Sequence, residues 1–179
     1  MMNDKNHLRQ KLKQIRENIS FARRQEAEKK LLEQLYPVLM TYTYVLSFAS
    51  FKSEINLWPL NGILCESKKL LLPRVEEEGL TMYHVESLQT LIPSHMGILE
   101  PDPKKSTKCL LQHIQCALIP GLGFDLYHHR LGYGQGHFDK LLSKLAKTET
   151  IGVGFQEQLV KEGIPTEKHD QVLRQIKLF

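Results

Sequence analysis

The sequence contains no long hydrophobic run, and nothing in it approaches the roughly 18 consecutive apolar residues that a transmembrane helix needs. The first residues, MMNDKNHLRQKLKQ, are polar and lack the apolar segment of a signal peptide. The three cysteines (Cys65, Cys109 and Cys116) are an odd number and cannot form a disulfide framework. We therefore expect a cytoplasmic protein with free thiols and no membrane contact.

The chain also lacks a dense basic stripe. Its 24 lysines and arginines against 20 acidic residues give a formal net charge of +4, and no basic run exceeds two residues. A nucleic-acid-binding protein usually concentrates its positive charge more strongly, so we expect no nucleic-acid partner. The mild excess of positive charge instead suits anionic small molecules.

Length and hydrophobic patterning predict one domain, residues 1–179. Helical periodicity runs through the first 35 residues, which we interpret as two helices with Ser20 capping the second and Pro37 ending it. Strands are expected at 43–50, 68–73, 79–85, 116–120 and 150–155 and in the tail, with helices at 55–67 and 138–147. Such alternation predicts a three-layer, Rossmann-like α/β fold whose largely parallel sheet is flanked by helices.

The most unusual stretch is RLGYGQGHFD, residues 130–139, in which every second residue from Gly132 to Gly136 is glycine. Alternating glycines allow close backbone approach and can point successive N–H groups at an anion, with Arg130 and Asp139 as charge partners at the two ends. The spacing matches neither the P-loop nor the dinucleotide fingerprint. The residues alone leave an anion site and a plain surface turn equally open.

Other candidate sites have a simpler structural explanation. A metal site at Cys109, His113 and Cys116 is less favoured than buried thiols, because the spacing is not that of a zinc site. Glu54, which we place at the end of a strand, suits either a ligand or plain surface. The basic residues of the first helix are most simply a solvated face: Lys5, Arg9, Lys13 and Arg16.

Several segments together resemble one protein family. LIPGLGFDLYHHRLGYGQGHFDKLL (118–142) resembles the signature P-G-x-x-F-D-x-x-G-x-R-L-G-x-G-x-G-Y-Y-D of 5-formyltetrahydrofolate cyclo-ligases. KNHLR, SFASFKSEI, LLPRV, GILEP and IPTEKHD extend the resemblance in order over nearly the whole chain. It implies ATP-dependent cyclisation of 5-formyltetrahydrofolate to 5,10-methenyltetrahydrofolate through a phosphorylated formyl group, with release of ADP and phosphate.

The same resemblance implies roles for individual residues, with Arg130 as the catalytic charge. Asp139 and Asp170 would hold Mg²⁺, which prefers hard oxygen ligands. The implied ATP-binding residues are Lys5, Asn6, His7, Leu8, Arg9, Arg130, Leu131, Gly132, Tyr133, Gly134, Gln135, Gly136, His137 and Phe138. The implied folate-binding residues are Arg9, Ala49, Glu54, Tyr133, Gly134, Gln135, Gly136 and His137.

The chain departs from the family pattern within this motif. His137 and Phe138 stand in place of two tyrosines, and Tyr133 in place of a usual basic residue. The tail after Asp170 also lacks the family's usual second aspartate and Thr-Glu ending. We expect a monomer acting on small molecules. The alternatives are a sugar-phosphate isomerase, a CoA-transferase-like enzyme, or a folate- or nucleotide-binding protein without turnover.

Overall fold

The computed structural model describes residues 2–167 and 170–179. The helices are α1 (Met2–Glu17), α2 (Phe21–Leu39), α3 (Trp58–Glu66) and α4 (His137–Leu142), with single 3₁₀ turns at Leu88–Thr90, Leu111–His113 and Gln156–Gln158. The strands are β1 (Val45–Leu46), β2 (Leu70–Glu76), β3 (Gly79–His84), β4 (Ile92–Pro93), β5 (Leu99–Glu100), β6 (Thr107–Cys109), β7 (Cys116–Ile119), β8 (Gly123–Asp125), β9 (Arg130–Leu131), β10 (Glu149–Gly154), β11 (Leu159–Val160) and β12 (Gln175–Leu178).

A seven-stranded sheet in the order β12-β10-β7-β1-β2-β3-β6 forms the centre of the fold. The five strands from β12 to β2 pair in parallel, whereas β3 and β6 add an antiparallel edge. Two small sheets, β11-β8-β9 and β4-β5, lie outside it. The predicted α/β fold with a largely parallel sheet is thus confirmed, whereas the two small sheets were not predicted.

Side-chain alternation along the parallel strands divides the core into two layers. Val45 packs into one cluster and its neighbour Leu46 into the other, because successive side chains on a strand point to opposite faces. The first cluster includes α2 and α3, through Leu31 and Leu60 among others. The second includes α4, through Leu141. Helices therefore cover both faces of the sheet and exclude water from it.

Helix α1 packs on the small three-stranded sheet. Its buried Leu12 forms a third hydrophobic cluster with Leu122 just before β8, Leu131 in β9 and Val160 in β11. This contact places α1 beside the glycine-rich stretch, which begins within β9. No helix in the described ranges combines the length and the apolar character needed to cross a bilayer.

Several predicted boundaries are wrong, and two of them involve proline. Pro37 lies inside α2, which continues to Leu39, because only the last turn remains beyond it and little hydrogen bonding is lost. Pro73 lies within β2, which continues to Glu76. Its missing N–H is tolerated there because β1 pairs only with Leu70 and Leu71, so one edge of β2 is open at Pro73.

Other elements are shorter than predicted. The strand expected at 43–50 is reduced to β1, and the helix expected at 138–147 to α4, which starts one residue earlier and ends at Leu142. Ser20 caps α2 as predicted, accepting a hydrogen bond from the N–H of Arg23. All three cysteines are free, also as predicted.

Candidate active site

A cavity of about 780 Å³ opens where α1, the loop after β1 and the glycine-rich stretch meet. Phe48 and Ala49, just after β1, and Pro120, just after β7, line it. Chain order reverses between these two adjacent strands, since β2 lies on one side and β10 and β12 on the other. The carboxyl ends of strands at such a switch point are where α/β folds usually bind ligands.

Most of the implied site residues line this cavity: Lys5, Asn6, Arg9, Ala49, Glu54, all of 130–139, and Asp170. His7 and Leu8 are absent from its wall. His7 is exposed, and Leu8 packs against the third hydrophobic cluster. The cavity wall also includes Lys13 and Arg16.

Helix α1 presents cationic side chains to the cavity instead of to solvent. Lys5, Arg9 and Arg16 are four and seven residues apart, a spacing that places them on one helical face. Lys5 is only 7% exposed and Arg16 only 3%, so the expectation of a solvated face is wrong for both. Lys5 has carboxylate partners and Arg16 has hydroxyl and carbonyl partners, which compensate both cations for the loss of water contact.

Lys5 and Arg9 connect α1 to two other segments of the wall. The Lys5 ammonium lies 2.6 Å from Oδ2 of Asp170 and 3.4 Å from Oε1 of Glu167. Arg9 donates from Nε to the carbonyl oxygen of Gly132 at 2.9 Å. Arg9 therefore fixes the position of the glycine-rich stretch relative to α1.

The glycines of that stretch have separate structural reasons. A Cβ on Gly132 would lie 2.6 Å from Nη1 of Arg130, so a side chain there would force the guanidinium to shift. Gly134 and Gly136 adopt φ of +101° and +68°, which side chains disfavour. Gly136 immediately precedes α4 in a left-handed conformation. The stretch is thus a loop that faces the cavity and whose conformation depends on glycine, not a merely flexible turn.

Arg130 is held from several sides. Its Nη2 lies 2.9 Å from Oδ2 of Asp139, and Nη1 donates to the carbonyl oxygen of Pro120 at 3.3 Å. The guanidinium also lies over the Phe138 ring, 5.7 Å from its centroid. Nε has no hydrogen-bond partner within the described part of the chain. The donors of this buried cation are therefore not all used.

A second polar group joins the loop after β1 to the glycine-rich stretch. Tyr133 donates its hydroxyl proton to Oε1 of Glu54 at 2.7 Å and accepts a hydrogen bond from Nη2 of Arg16, also at 2.7 Å. Glu54 lies eight residues beyond the end of β1, so its predicted place at a strand end is wrong. Sequence reasoning missed Arg16 as a site residue, although its helical spacing from Lys5 and Arg9 carried the signal.

Burial changes the pKa of both Glu54 and Tyr133. Loss of water contact raises the pKa of Glu54, while the Tyr133 hydrogen bond and the Arg16 charge act to lower it. Loss of water contact, followed by the charge of Glu54, raises the pKa of Tyr133. The tyrosine hydroxyl therefore keeps its proton at neutral pH and serves as the donor.

Asp139 and Asp170 both line the cavity, each paired with a cation. The described residues contain no cluster of three or more His, Cys, Asp or Glu side chains suited to a metal. Mg²⁺ commonly uses one or two carboxylates and takes its other ligands from phosphates and water. Two cavity carboxylates match that number of protein ligands, and their use of magnesium stays a prediction.

The three residues of the less favoured metal site differ in burial: Cys116 is buried, Cys109 is partly buried and His113 is exposed. Cys116 is fully buried in β7, and burial raises the pKa of its thiol to about 12. Such a thiol stays protonated at neutral pH. His129, just before the glycine-rich stretch, is not part of the cavity wall, and its Nδ1 lies 3.0 Å from Oδ2 of the buried Asp125.

Comparison with known proteins identifies the family. The model of the 5-formyltetrahydrofolate cyclo-ligase family matches residues 1–178. The chain belongs to this family. A 5-formyltetrahydrofolate cyclo-ligase of Escherichia coli is 31% identical over 142 residues, which are 75% of this chain and 76% of that protein. Matches to relatives from Arabidopsis thaliana (mitochondrial) and Schizosaccharomyces pombe cover only 45% and 60% of those proteins.

Solved structures of similar proteins share the fold of this cyclo-ligase family member. The NMR structure of Aquifex aeolicus 5,10-methenyltetrahydrofolate synthetase superposes with a TM-score of 0.85 at 29% identity, covering 96% of this chain and 88% of that one. A 5,10-methenyltetrahydrofolate synthetase from Mycoplasma pneumoniae gives a TM-score of 0.77 at 21% identity, with 97% of both chains covered. At that identity the second match supports the fold alone.

Proposed function

We propose that the protein is an ATP-dependent 5-formyltetrahydrofolate cyclo-ligase that forms 5,10-methenyltetrahydrofolate, ADP and phosphate. The observation that carries this proposal is the joint placement of two kinds of group in one cavity. Lys5, Arg9 and Arg130 supply positive charge around the glycine-rich loop, and Glu54 supplies a carboxylate for the N–H groups of a reduced pterin. Family membership supports the same reaction.

The chemistry explains why ATP is needed. Ring closure must expel the formyl oxygen, and hydroxide is a poor leaving group. Transfer of the γ-phosphoryl group to that oxygen forms a carbon–oxygen–phosphorus link and releases ADP. The N10 lone pair then attacks the formyl carbon, the carbon–oxygen bond breaks, and phosphate leaves with that oxygen while N10 loses its proton. The product is the cationic methenyl ring.

The residues of this chain contribute position and charge. Arg130 lies buried at the start of the glycine-rich loop, where a planar guanidinium can bind phosphate oxygens in pairs. Lys5 and Arg9 would offset the remaining phosphate charge. Holding ATP and folate in line can contribute about 7–11 kcal/mol toward the barrier, without any protein nucleophile. Electrostatic stabilisation by fixed donors adds to this effect.

Asp139 and Asp170 are the residues that would hold Mg²⁺. When bound, the ion supplies charge neutralisation for the nucleotide phosphates. Each aspartate now pairs with a cation of the cavity, Arg130 or Lys5. Nucleotide binding would therefore change the partners of all four side chains. Arg130 and Lys5 would contact phosphate oxygens, and Asp139 and Asp170 would contact magnesium.

The alternatives make different demands on the cavity. An isomerase or a CoA-transferase-like enzyme needs a base or nucleophilic carboxylate at the loop, and the loop's own carboxylate, Asp139, is paired with Arg130. A binding protein without turnover is motivated by His137 and Phe138, which replace the family's tyrosines.

Measurement of ADP release with and without 5-formyltetrahydrofolate tests these functions. We expect release that depends on the folate. Folate-independent ADP release, or nucleotide binding without any release, would contradict the proposal.

A further inference from the structure

Arg16 is a buried arginine whose guanidinium donates to three separate segments. Nε donates to Oγ of Ser53 at 3.0 Å, Nη1 to the carbonyl oxygen of Gly121 at 3.4 Å, and Nη2 to the hydroxyl oxygen of Tyr133 at 2.7 Å. These segments are the loop after β1, the chain after β7 and the glycine-rich loop. With three partners the guanidinium has little freedom to move.

The hydrogen bond from Arg16 fixes the direction of the next one. An arginine side chain only donates, so the Tyr133 oxygen must accept from it and the hydroxyl proton is left for another partner. That partner is Oε1 of Glu54 at 2.7 Å. The guanidinium also lies 5.6 Å from the centroid of the Tyr133 ring, which holds the phenol in place.

The other carboxylate oxygen of Glu54 is fixed as well, since Oε2 accepts from the N–H of Phe51 at 3.0 Å. Each carboxylate oxygen can accept two hydrogen bonds, and each has one described protein donor here. The carboxylate is therefore oriented yet able to accept two more donors from the cavity. Two adjacent N–H groups, such as the amino group and ring N–H of a pterin, match that capacity.

We propose that Arg16 and Tyr133 are positioning residues for the folate substrate, acting through Glu54 by a directed chain of hydrogen bonds. This inference rests on the proposed function, because it assumes that Glu54 receives the pterin. Tyr133 stands where the family usually has a basic residue, so the chain replaces a cation of the loop by a neutral hydroxyl that Arg16 orients. The guanidinium of Arg16 supplies positive charge from the helix side instead.

A double-mutant cycle on 5-formyltetrahydrofolate affinity, measured by calorimetry without ATP, tests the inference. Tyr133→Phe removes only the hydroxyl, and we expect affinity to fall about tenfold, as for loss of one hydrogen bond to a charged group. In a Glu54→Ala background the same change should alter affinity less than about twofold, because nothing remains to be positioned. Equal losses in both backgrounds would overturn the inference.

Controls separate positioning from general damage. Tyr127→Phe removes a hydroxyl from an exposed tyrosine outside the cavity wall and should leave folate affinity unchanged. Tyr133→Phe should weaken folate binding more than Mg-ATP binding, the latter measured by the thermal shift, since it leaves the loop backbone and Arg130 in place. Equal weakening of both would show that the variant disturbs the whole loop and would overturn the assigned role.

Arg16 is tested through its effect on Tyr133. Arg16→Met should weaken folate binding when Tyr133 is present and should change folate binding little in the Tyr133→Phe background. Equal weakening in both backgrounds would overturn action through Tyr133, and Tyr133→Phe alone remains decisive if Arg16→Met does not fold. A wild type that binds no 5-formyltetrahydrofolate would refute the proposed function itself, and this inference with it.

Discussion

Nη2 of Arg130 lies 2.9 Å from Oδ2 of Asp139, so an ion pair joins the first and last residues of the glycine-rich loop. The arginine side chain is nearly buried and the aspartate partly so, which protects the pair from screening by salt. Both residues line the cavity. The ligand proposed for this site, a nucleotide carrying magnesium, offers one new partner to each of them.

Replacement of Arg130 should therefore affect nucleotide binding more than folding. We expect Arg130→Ala to lower ATP affinity at least tenfold, because a charged hydrogen bond contributes about 1.5–3 kcal/mol. The measurement is the thermal shift on adding Mg-ATP, which reports binding to the folded state. Arg174→Ala, at an exposed arginine outside the cavity wall, should keep the full shift. An unchanged shift in Arg130→Ala would contradict the assignment.

Substitution of Gly132 should have the same effect on ATP binding as substitution of Arg130. A Cβ there would lie 2.6 Å from Nη1 of Arg130 and would displace the guanidinium. We expect Gly132→Ala to lose ATP affinity about as strongly as Arg130→Ala, by roughly tenfold. Gly62 is the matched control, since a Cβ at this position in α3 meets nothing within 4 Å and its φ is not positive. Gly62→Ala should leave ATP affinity unchanged and stabilise the fold by about 1 kcal/mol.

The sequence predicted the architecture well because the parallel strands are buried on both faces and are rich in apolar residues. Cys116–Ile119 is fully buried, and its apolar run was visible without a structure. The lengths of β1 and β2 were not predictable in this way, since they depend on which neighbouring strand offers a partner. β1 pairs at only two residues, and that limit also explains how Pro73 fits within β2.

For the site, the motif located the loop but did not determine its contacts. Local spacing placed Arg16 on the same face as Lys5 and Arg9, yet composition alone favoured a solvated surface. One of its partners in the folded protein is Tyr133, which lies 117 residues away in the chain. Long-range partners of this kind cannot be derived from a single sequence, because only the folded sheet brings the two segments together.

The two cavity aspartates should control magnesium dependence. Asp139→Asn and Asp170→Asn each remove a negative charge, so we expect a sharp fall in ATP turnover, about tenfold or more, and a higher magnesium requirement. A magnesium titration at fixed ATP gives the measurement. Asp102→Asn, which changes a carboxylate outside the cavity wall, serves as the control. Wild-type magnesium dependence in both cavity variants would contradict the pairing.

Glu54 should govern folate use and its dependence on pH. Glu54→Gln is expected to raise the KM for folate far more than the KM for ATP. The reason is the loss of a hydrogen bond to a charged group, which contributes about 1.5–3 kcal/mol to folate binding. Burial raises the pKa of Glu54, and an ionised carboxylate is the form that accepts pterin N–H groups. The kcat/KM for folate should therefore fall as the pH drops through this raised pKa.

Tyr133→Phe should move that acid limb to higher pH, because the hydroxyl stabilises the ionised form of Glu54. The Tyr133 hydroxyl, the N–H of Phe51 and the charge of Arg16 lower the pKa of Glu54, and the variant keeps the last two. Equal changes in both KM values for Glu54→Gln, or an acid limb that does not move in Tyr133→Phe, would argue against this role of Glu54.

The fate of the formyl oxygen tests the central claim most directly. The wild-type protein is incubated with ATP, magnesium and 5-formyltetrahydrofolate that carries a heavy-oxygen label in its formyl group, and the products are analysed by mass spectrometry. Phosphorylation of that oxygen predicts 5,10-methenyltetrahydrofolate together with inorganic phosphate that contains the label. Release of the label into water, or ATP consumption without methenyl product, would contradict the proposed reaction.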